Sequence, residues 1–305
     1  MAYKHRDSIY GFRRSYELYL FLLPGLIFIL LFDLLPMINI TIAFKNFRPM
    51  LGLKGSQWIG FRNFAKLFAD PTVWNVIKNT LEINFLKLIV CAPLPMFLAI
   101  LINEIAAPPF FRKSIQTVIY IPHFFTWVVV YSVFFILFGS GGIINYLIIL
   151  ISGKPTLFFI NGNWMRFLLI ISDSWHSTGW GTIVYLAAIT GIDPELYDAA
   201  TVDGAGRMQQ IRHITIPCLL PVFVLMMSIR LGNIMRASFD QVLAFYNPSV
   251  YESVDIIGTF VYRTGIGQAN FSYATAVGLF NSFIGLLMVI SANILSRKTT
   301  GRSIW

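Results

Sequence analysis

Apolar residues in this chain run in long, nearly unbroken blocks rather than alternating with polar ones. Six blocks reach the roughly 20 residues that a helix needs to cross a hydrocarbon layer. They cover about residues 18–40, 74–102, 114–138, 164–189, 214–236 and 272–295. A seventh stretch, Ile143 to Ile151, is apolar but too short to span, and is expected at a membrane surface or as a re-entrant piece. The pattern predicts an all-α membrane protein, one transmembrane domain over residues 1–305, with six transmembrane helices. Pro24 and Pro36 inside the first block are tolerable in a membrane bundle. That block is too long for the core of a secretory signal, and no small-x-small cleavage site follows it.

Composition agrees with the pattern. The chain is 56% hydrophobic and 12% charged, against about 25% charged in a soluble domain. The net charge of +9 would point to nucleic acid in a soluble protein. Here many cations sit just beyond apolar blocks, and no basic tract is long enough to follow a phosphate backbone. Nucleic acid is therefore not an expected partner; membrane lipid is. Of the 23 Lys and Arg, eleven fall in the segments before the first, between the second and third, between the fourth and fifth, and after the last block. That bias places both termini in the cytoplasm. The first outer connection disagrees, with Lys45, Arg48, Lys54, Arg62 and Lys66. Long polar segments cross with their charges, so the orientation stands. Cys91 and Cys218 lie in or beside apolar blocks and read as packing residues.

Within the first outer connection, Trp58 to Phe68 sets Phe61, Phe64, Ala65 and Phe68 on one helical face and Arg62 and Lys66 on another. This fits an interfacial helix, or an ordered loop packed on the bundle. The second block starts polar, with Lys78, Asn79, Glu82, Asn84 and Lys87. Lys78 and Glu82 are one turn apart and able to pair. A polar start marks either the interface or a wet cavity.

Catalytic chemistry is missing. There is no phosphate-cradling G-x-x-x-x-G-K-[ST], no H-E-x-x-H and no G-x-S-x-G. His5, His123, His176 and His213 are scattered without ligand spacing. Asp33 near the outer end of the first span and Asp173 in the fourth both read as interfacial. Without a pair of buried ionisable groups a proton- or sodium-coupled carrier is disfavoured.

One polar island stands out between the fourth and fifth blocks, Glu195 to Gly206. Asp193-Pro194 gives it an N-cap acid and a proline at the first helical position. Gly204 and Gly206 let it end. A short helix over about 194–204 is expected on the cytoplasmic surface.

Asp198-Ala199-Ala200, then Gly204 four residues on, then nine residues to Ile214-Thr215-Ile216-Pro217, resembles the E-A-A-x3-G-x9-I-x-L-P motif of binding-protein-dependent ABC importer permeases. Asp198 replaces the usual Glu and Ile216 the usual Leu. Pro36-Met37, Trp58-Ile59-Gly60-Phe61-x-x-Phe64, Asn79-Thr80-Leu81, Phe239-Asp240-Gln241, Asn247-Pro248, Thr259-x-x-Tyr262-Arg263 and Ala276 to Phe280 are similar to the branch handling oligosaccharides and polysaccharide fragments. The resemblance spans nearly the whole chain. It implies a permease subunit of the bacterial plasma (inner) membrane, not an enzyme, without a cofactor of its own. ATP and Mg would sit on two partner ATPase subunits. A second homologous permease and an extracytoplasmic solute-binding protein would complete the assembly, and an oligosaccharide, with a slight tilt toward an acidic one, would be the cargo. The island would be the coupling helix that docks on an ATPase, through Glu195, Leu196, Tyr197, Asp198, Ala199, Ala200, Asp203, Gly204, Arg207 and Pro217. An ATPase-independent secondary carrier or channel is the alternative, and a membrane enzyme a more distant one.

Candidates for the substrate path are Arg230, Asn233 and Arg236, three residues apart on one face of the fifth span. They fit either a wet cavity that binds sugar hydroxyls or carboxylates, or snorkelling to the outer interface. Trp175, Trp180 and Tyr185 fit sugar stacking or ordinary packing, and Asn281 is a further polar candidate on the last span.

Overall fold

The computed structural model describes residues 16–105, 108–235 and 238–300. Among these the chain is nearly all helical. Thirteen helices matter here. They are α1 (Tyr16–Ile29), α2 (Arg62–Ala69), α3 (Pro71–Cys91), α4 (Pro93–Glu104), α5 (Pro109–Tyr120), α6 (Trp127–Phe138), α7 (Ile143–Ser152), α8 (Gly162–Thr190), α9 (Pro194–Val202), α10 (Ile216–Gly232), α11 (Phe239–Phe245), α12 (Ile257–Tyr262) and α13 (Phe271–Thr300). The all-helical expectation needs one small correction. Strands β1 (Lys45–Asn46) and β2 (Gln57–Trp58) pair antiparallel, with Lys45 opposite Trp58 and Asn46 opposite Gln57.

Among the described residues, five stretches are long and apolar enough to cross a membrane: Leu18–Phe44, Pro71–Glu104, Trp127–Ser152, Arg207–Gly232 and Phe271–Ser291. The expected fourth span, α8, is not among them. Its 29 residues reach about 43 Å at 1.5 Å per residue, but Arg166, Asp173 and His176 make it polar. The expected third span is not one helix. Pro122 offers no backbone N–H, Phe125 and Thr126 are extended, and α5 and α6 are separate rods. The short apolar helix expected at 143–151 is α7, which follows α6 after a tight turn. Buried Asn145 holds that turn: it donates to the carbonyls of Phe138, Gly139 and Thr156 and accepts from Thr156 N–H.

α8 is the axis of the packing. Leu168 and Leu169 meet Phe134 of α6 and Phe245 of α11 in one core cluster. Tyr185 and Ile189 meet Ala99 of α4 and Leu219 of α10 in another. Close approach needs Gly179, where a Cβ would fall 2.0 Å from the Ile119 carbonyl oxygen. A third cluster joins Leu67, Val73, Val76, Ile257, Phe260, Tyr273 and Val277. The first span runs on from α1 through a π turn, Leu30–Leu34, and a 3-10 stretch, Leu35–Phe44. It is exposed along α1 and packs on α13 in the latter stretch. Exposed apolar helix faces on this scale suit lipid or partner helices rather than water.

The polar start of the second span has a structural use. Glu82 pairs with Lys78 at 3.6 Å and with Arg166 of α8 at 3.1 Å. Asn75 and Asn79 both donate to the Glu252 carbonyl, and Thr80 Oγ1 accepts from Ile257 N–H. These bonds clamp the segment after α11 against α3 and α8. In that segment Asp255 pairs with Arg263 at 2.6 Å and accepts from Thr259. Burial pushes the Asp255 carboxyl above its ordinary value, against the opposing pull of Thr259 and Arg263.

Candidate functional site

Two places carry the residues singled out in the sequence. The first is α9 and its flanks. Asp193 caps it, accepting from Glu195 N–H at 3.0 Å, and Pro194 opens it. At the other end Ala205 N–H reaches the Ala200 carbonyl and Gly204 N–H the Thr201 carbonyl. That paired closure puts Gly204 at the left-handed position, φ 77°, where a side chain would be strained. The helix ends at Val202, two residues before the expected limit.

α9 has no buried residue. Glu195, Leu196, Asp198, Ala199, Asp203, Gly204 and Arg207 are exposed, while Tyr197 and Ala200 are partly covered. The helix thus presents apolar Leu196 and Val202 beside three carboxylates. Its link to the body is polar. Tyr197 and Thr215 hydroxyls lie 2.9 Å apart, and Gln210 donates to Thr201 Oγ1 at 2.9 Å and to the Ala205 carbonyl at 3.4 Å. Thr215 and Gln210 sit in the turns Arg207–Gln210 and Ile211–Thr215 that lead directly into α10, whose second residue is Pro217. α9 is therefore a self-terminated rod tied to the foot of the next long helix. Gln210 and Thr215 escaped sequence reasoning, because pairing across a turn leaves no spacing pattern.

The second place is a cavity of about 210 Å³ between α3, α8 and the end of α10, with apolar walls from Leu88, Ile229 and Ile234. Asn84, Lys87, Asp173, Arg230, Asn233 and Ser238 line it. The cavity sets two cations beside one carboxylate, with amides and a hydroxyl around them. Lys87 is 5% exposed and donates to Ser238 Oγ at 2.6 Å and to Gln241 Oε1. Ser238 in turn donates to Asn84 Oδ1 at 2.8 Å, and Gln241 donates to the Leu169 carbonyl and Ser172 Oγ. A buried lysine without a carboxylate partner is costly unless its donors find acceptors, and these hydroxyl and amide oxygens take two of its three. Ser238 itself has φ 73°, an uncommon backbone state for serine.

The sequence candidates divide around this cavity. Arg230 and Asn233 line it together. Asn281 faces a neighbouring space of about 390 Å³ that Asn233 shares; its Oδ1 is buried without a partner among the described residues. Arg236 lies outside the described residues. Tyr185 is 1% exposed inside a core cluster, so it is a packing residue and not open to a sugar. Trp180 stacks on His123 with centroids 4.8 Å apart, and Trp175 packs on Phe125 and Phe134; neither reaches the cavity. Asp173, read as interfacial, sits near the middle of α8 and faces the cavity instead. Lys87, read as part of a polar helix start, is its most buried cation. Gln241 and Ser238 were not singled out as site residues at all. The available signal was a lone lysine deep in an apolar run, which marks function by default in a membrane helix.

Comparison with known proteins places this architecture. The chain is 44% identical over 282 residues to the polygalacturonan/rhamnogalacturonan transport system permease protein YteP of Bacillus subtilis (strain 168), covering 92% of this chain and 88% of that protein. Among solved structures it superposes with a TM-score of 0.88 on a chain of a bacterial ABC transporter involved in the import of the acidic polysaccharide alginate. Identity there is 38%, over 96% of this chain and 99% of that one. A crystal structure of a bacterial alginate ABC transporter in complex with an alginate pentasaccharide-bound periplasmic protein gives 0.87 at 37% identity, over 96% and 98% of the two chains. The family described as binding-protein-dependent transport system inner membrane component matches residues 92–301. The chain belongs to that family, the permease subunits of ABC importers, which are multi-pass transport components of the bacterial plasma membrane and not enzymes.

Proposed function

We propose that this permease is one of two related permease subunits that together pass an acidic oligosaccharide into the cell. The carrying observation is the cavity itself, where Lys87 and Arg230 face Asp173 among Asn84, Asn233 and Ser238. Amides and hydroxyls suit sugar hydroxyls, and the cationic surplus suits a uronate carboxylate. The named cargoes of the two relatives, a galacturonan and an acidic polysaccharide, support the same chemistry. At about 210 Å³ the cavity is smaller than the ~300–1,000 Å³ of an ordinary small-molecule site. The second permease supplies the opposite wall.

In this reading the chain is a single transmembrane domain, residues 1–305. α8 is a sixth span, shielded from lipid by its place at the centre of the packing, and both termini face the cytoplasm. α9 is the coupling helix. Leu196, Ala199 and Val202 enter a groove on a separate ATPase subunit, Asp198 pairs with a basic side chain there, and Glu195, Asp203 and Arg207 set the rim. ATP and Mg belong to two such ATPase subunits. A solute-binding protein delivers the sugar on the outer face. Closure of the ATPases moves α9 as a rod, and the Tyr197–Thr215 and Gln210–Thr201 bonds pass that motion to α10, which carries Arg230 and Asn233.

The test is uptake by the reconstituted importer, with its binding protein and ATP, of uronic against neutral oligosaccharides of equal length. Preference for uronic sugars that fades in Arg230→Gln is expected. Equal uptake of both sinks the acidic assignment. Uptake by this chain alone would sink the coupling assignment.

A further inference from the structure

Five cations and no carboxylate lie between Lys45 and Ala69, in the first connection on the outer side. A basic outer loop runs against the usual charge bias, and neither coupling nor the cavity uses it. The structure sorts the five. Lys45 Nζ donates to the Leu53 carbonyl at 2.5 Å, and Lys66 sits 4.7 Å over the Tyr273 ring. Arg48, Lys54 and Arg62 are exposed, and none of them is in an ion pair among the described residues. Exposed apolar side chains alternate with them: Met50 at 99%, Phe61 at 73% and Trp58 at 60%.

Depth is fixed by the chain. The hairpin begins at Lys45, immediately after the apolar stretch Leu18–Phe44. Phe44 stacks on Trp58 with centroids 5.6 Å apart and meets Phe61 edge-on at 5.4 Å. The hairpin is thereby held where the first span leaves the hydrocarbon. α2 turns Leu67 inward, and Asn63 donates to the Ala43 carbonyl at 2.7 Å, so Phe61 and Arg62 are left outward. The inward face of α2 is thus led by Leu67, while Phe61 and Phe68 of the apolar stripe stay exposed. Aromatic rings at headgroup level beside unpaired cations match an interfacial anchor on an anionic membrane. A protein partner would have to reach cations pinned at the rim of a span.

We propose that the Lys45–Trp58 hairpin, with Phe61 and Arg62 at the start of α2, is an interfacial foot that binds anionic phospholipid headgroups at the Phe44 end of the first span. Its placement on the outer leaflet rests on the orientation proposed above. The test places benzoylphenylalanine at Met50 in the assembled importer, in vesicles of phosphatidylglycerol and phosphatidylcholine, followed by irradiation. A phospholipid adduct is expected. Its yield should fall several-fold in pure phosphatidylcholine, and likewise when Arg48→Gln, Lys54→Gln and Arg62→Gln are combined. An adduct with the binding protein or another subunit overturns the proposal. So does a lipid yield indifferent to vesicle charge and to the three cations, or no adduct while a probe at Leu26 in the first span gives one. Orientation is read separately, by an impermeant thiol reagent on Met50→Cys. Labelling only from the cytoplasmic face would reverse the leaflet and leave the lipid result standing.

Discussion

α9 and the Lys87 cavity are built on opposite plans. α9 is local: its cap, its proline, its closing glycine and its exposed face all come from residues 193–205. The cavity is assembled from α3, α8, α10 and the turn at Ser238, with partners as far apart as Lys87 and Gln241. A surface rod tolerates substitution in stability terms, because it leaves nothing buried behind. A buried hydrogen-bonded cation does not, because each lost partner leaves a polar atom stranded. Function and stability should therefore separate in α9 and merge in the cavity.

The largest expected effect tests the separation. Asp198→Arg combined with Gly204→Arg should reduce uptake to background while ATP hydrolysis runs uncoupled. The purified subunit should keep its helical signal and its detergent melting point apart from the strain at φ 77°, about 1 kcal/mol. Uptake at the parent rate would remove α9 from the coupling path. Lys87→Met tests the merging. It leaves Gln241 Oε1 and Ser238 without their donor, at a cost of about 1–3 kcal/mol. A lower melting point should accompany lost uptake; lost uptake at an unchanged melting point would make Lys87 a purely cargo-facing group. Arg230→Gln is milder, since Arg230 has no ion-pair partner among the described residues. Uptake of a uronic oligosaccharide should fall about tenfold, the equivalent of one charge-assisted bond, while a neutral one changes little.

The same division explains what the sequence reveals. Four of the six blocks appear within long apolar stretches, since length and apolarity are local properties, while the third is broken and only its second half runs on, with α7, as Trp127–Ser152. α8 also forms where expected, although Arg166, Asp173 and His176 keep it from standing among the long apolar stretches. The break at Phe125 and Thr126 is a tertiary matter: Pro122 permits it, and packing against α8 at Gly179 and His176 uses it. Arg230 and Asn233 follow from helical spacing along one element. Lys87, Ser238 and Gln241 do not, because Lys87 is 151 positions from Ser238 and 154 from Gln241 and no period connects them. Tyr185 misleads for the related reason that an aromatic ring at the right spacing reads alike whether it meets a sugar or Leu219.

The smallest effect is the sharpest test of locality. Asp193 accepts from Glu195 N–H at 3.0 Å and touches nothing beyond its own turn in doing so. Asp193→Ala should cost about 1 kcal/mol of α9 helix stability, because the first-turn amides lose a charged acceptor. Since α9 buries no residue, that loss should stay within the helix. Hydrogen exchange should quicken roughly fivefold across Glu195–Asp203, as 1 kcal/mol implies at room temperature, while amides of α8 and α10 exchange at the parent rate. A rod that frays transmits less force, so uptake should fall by less than the exchange rate rises. If exchange quickens in α10 as well, α9 is not a separable rod but the first turn of that helix's fold, and the contrast with the cavity fails. Asp193→Asn distinguishes the cap from the charge: it keeps the hydrogen bond and should restore most of the protection.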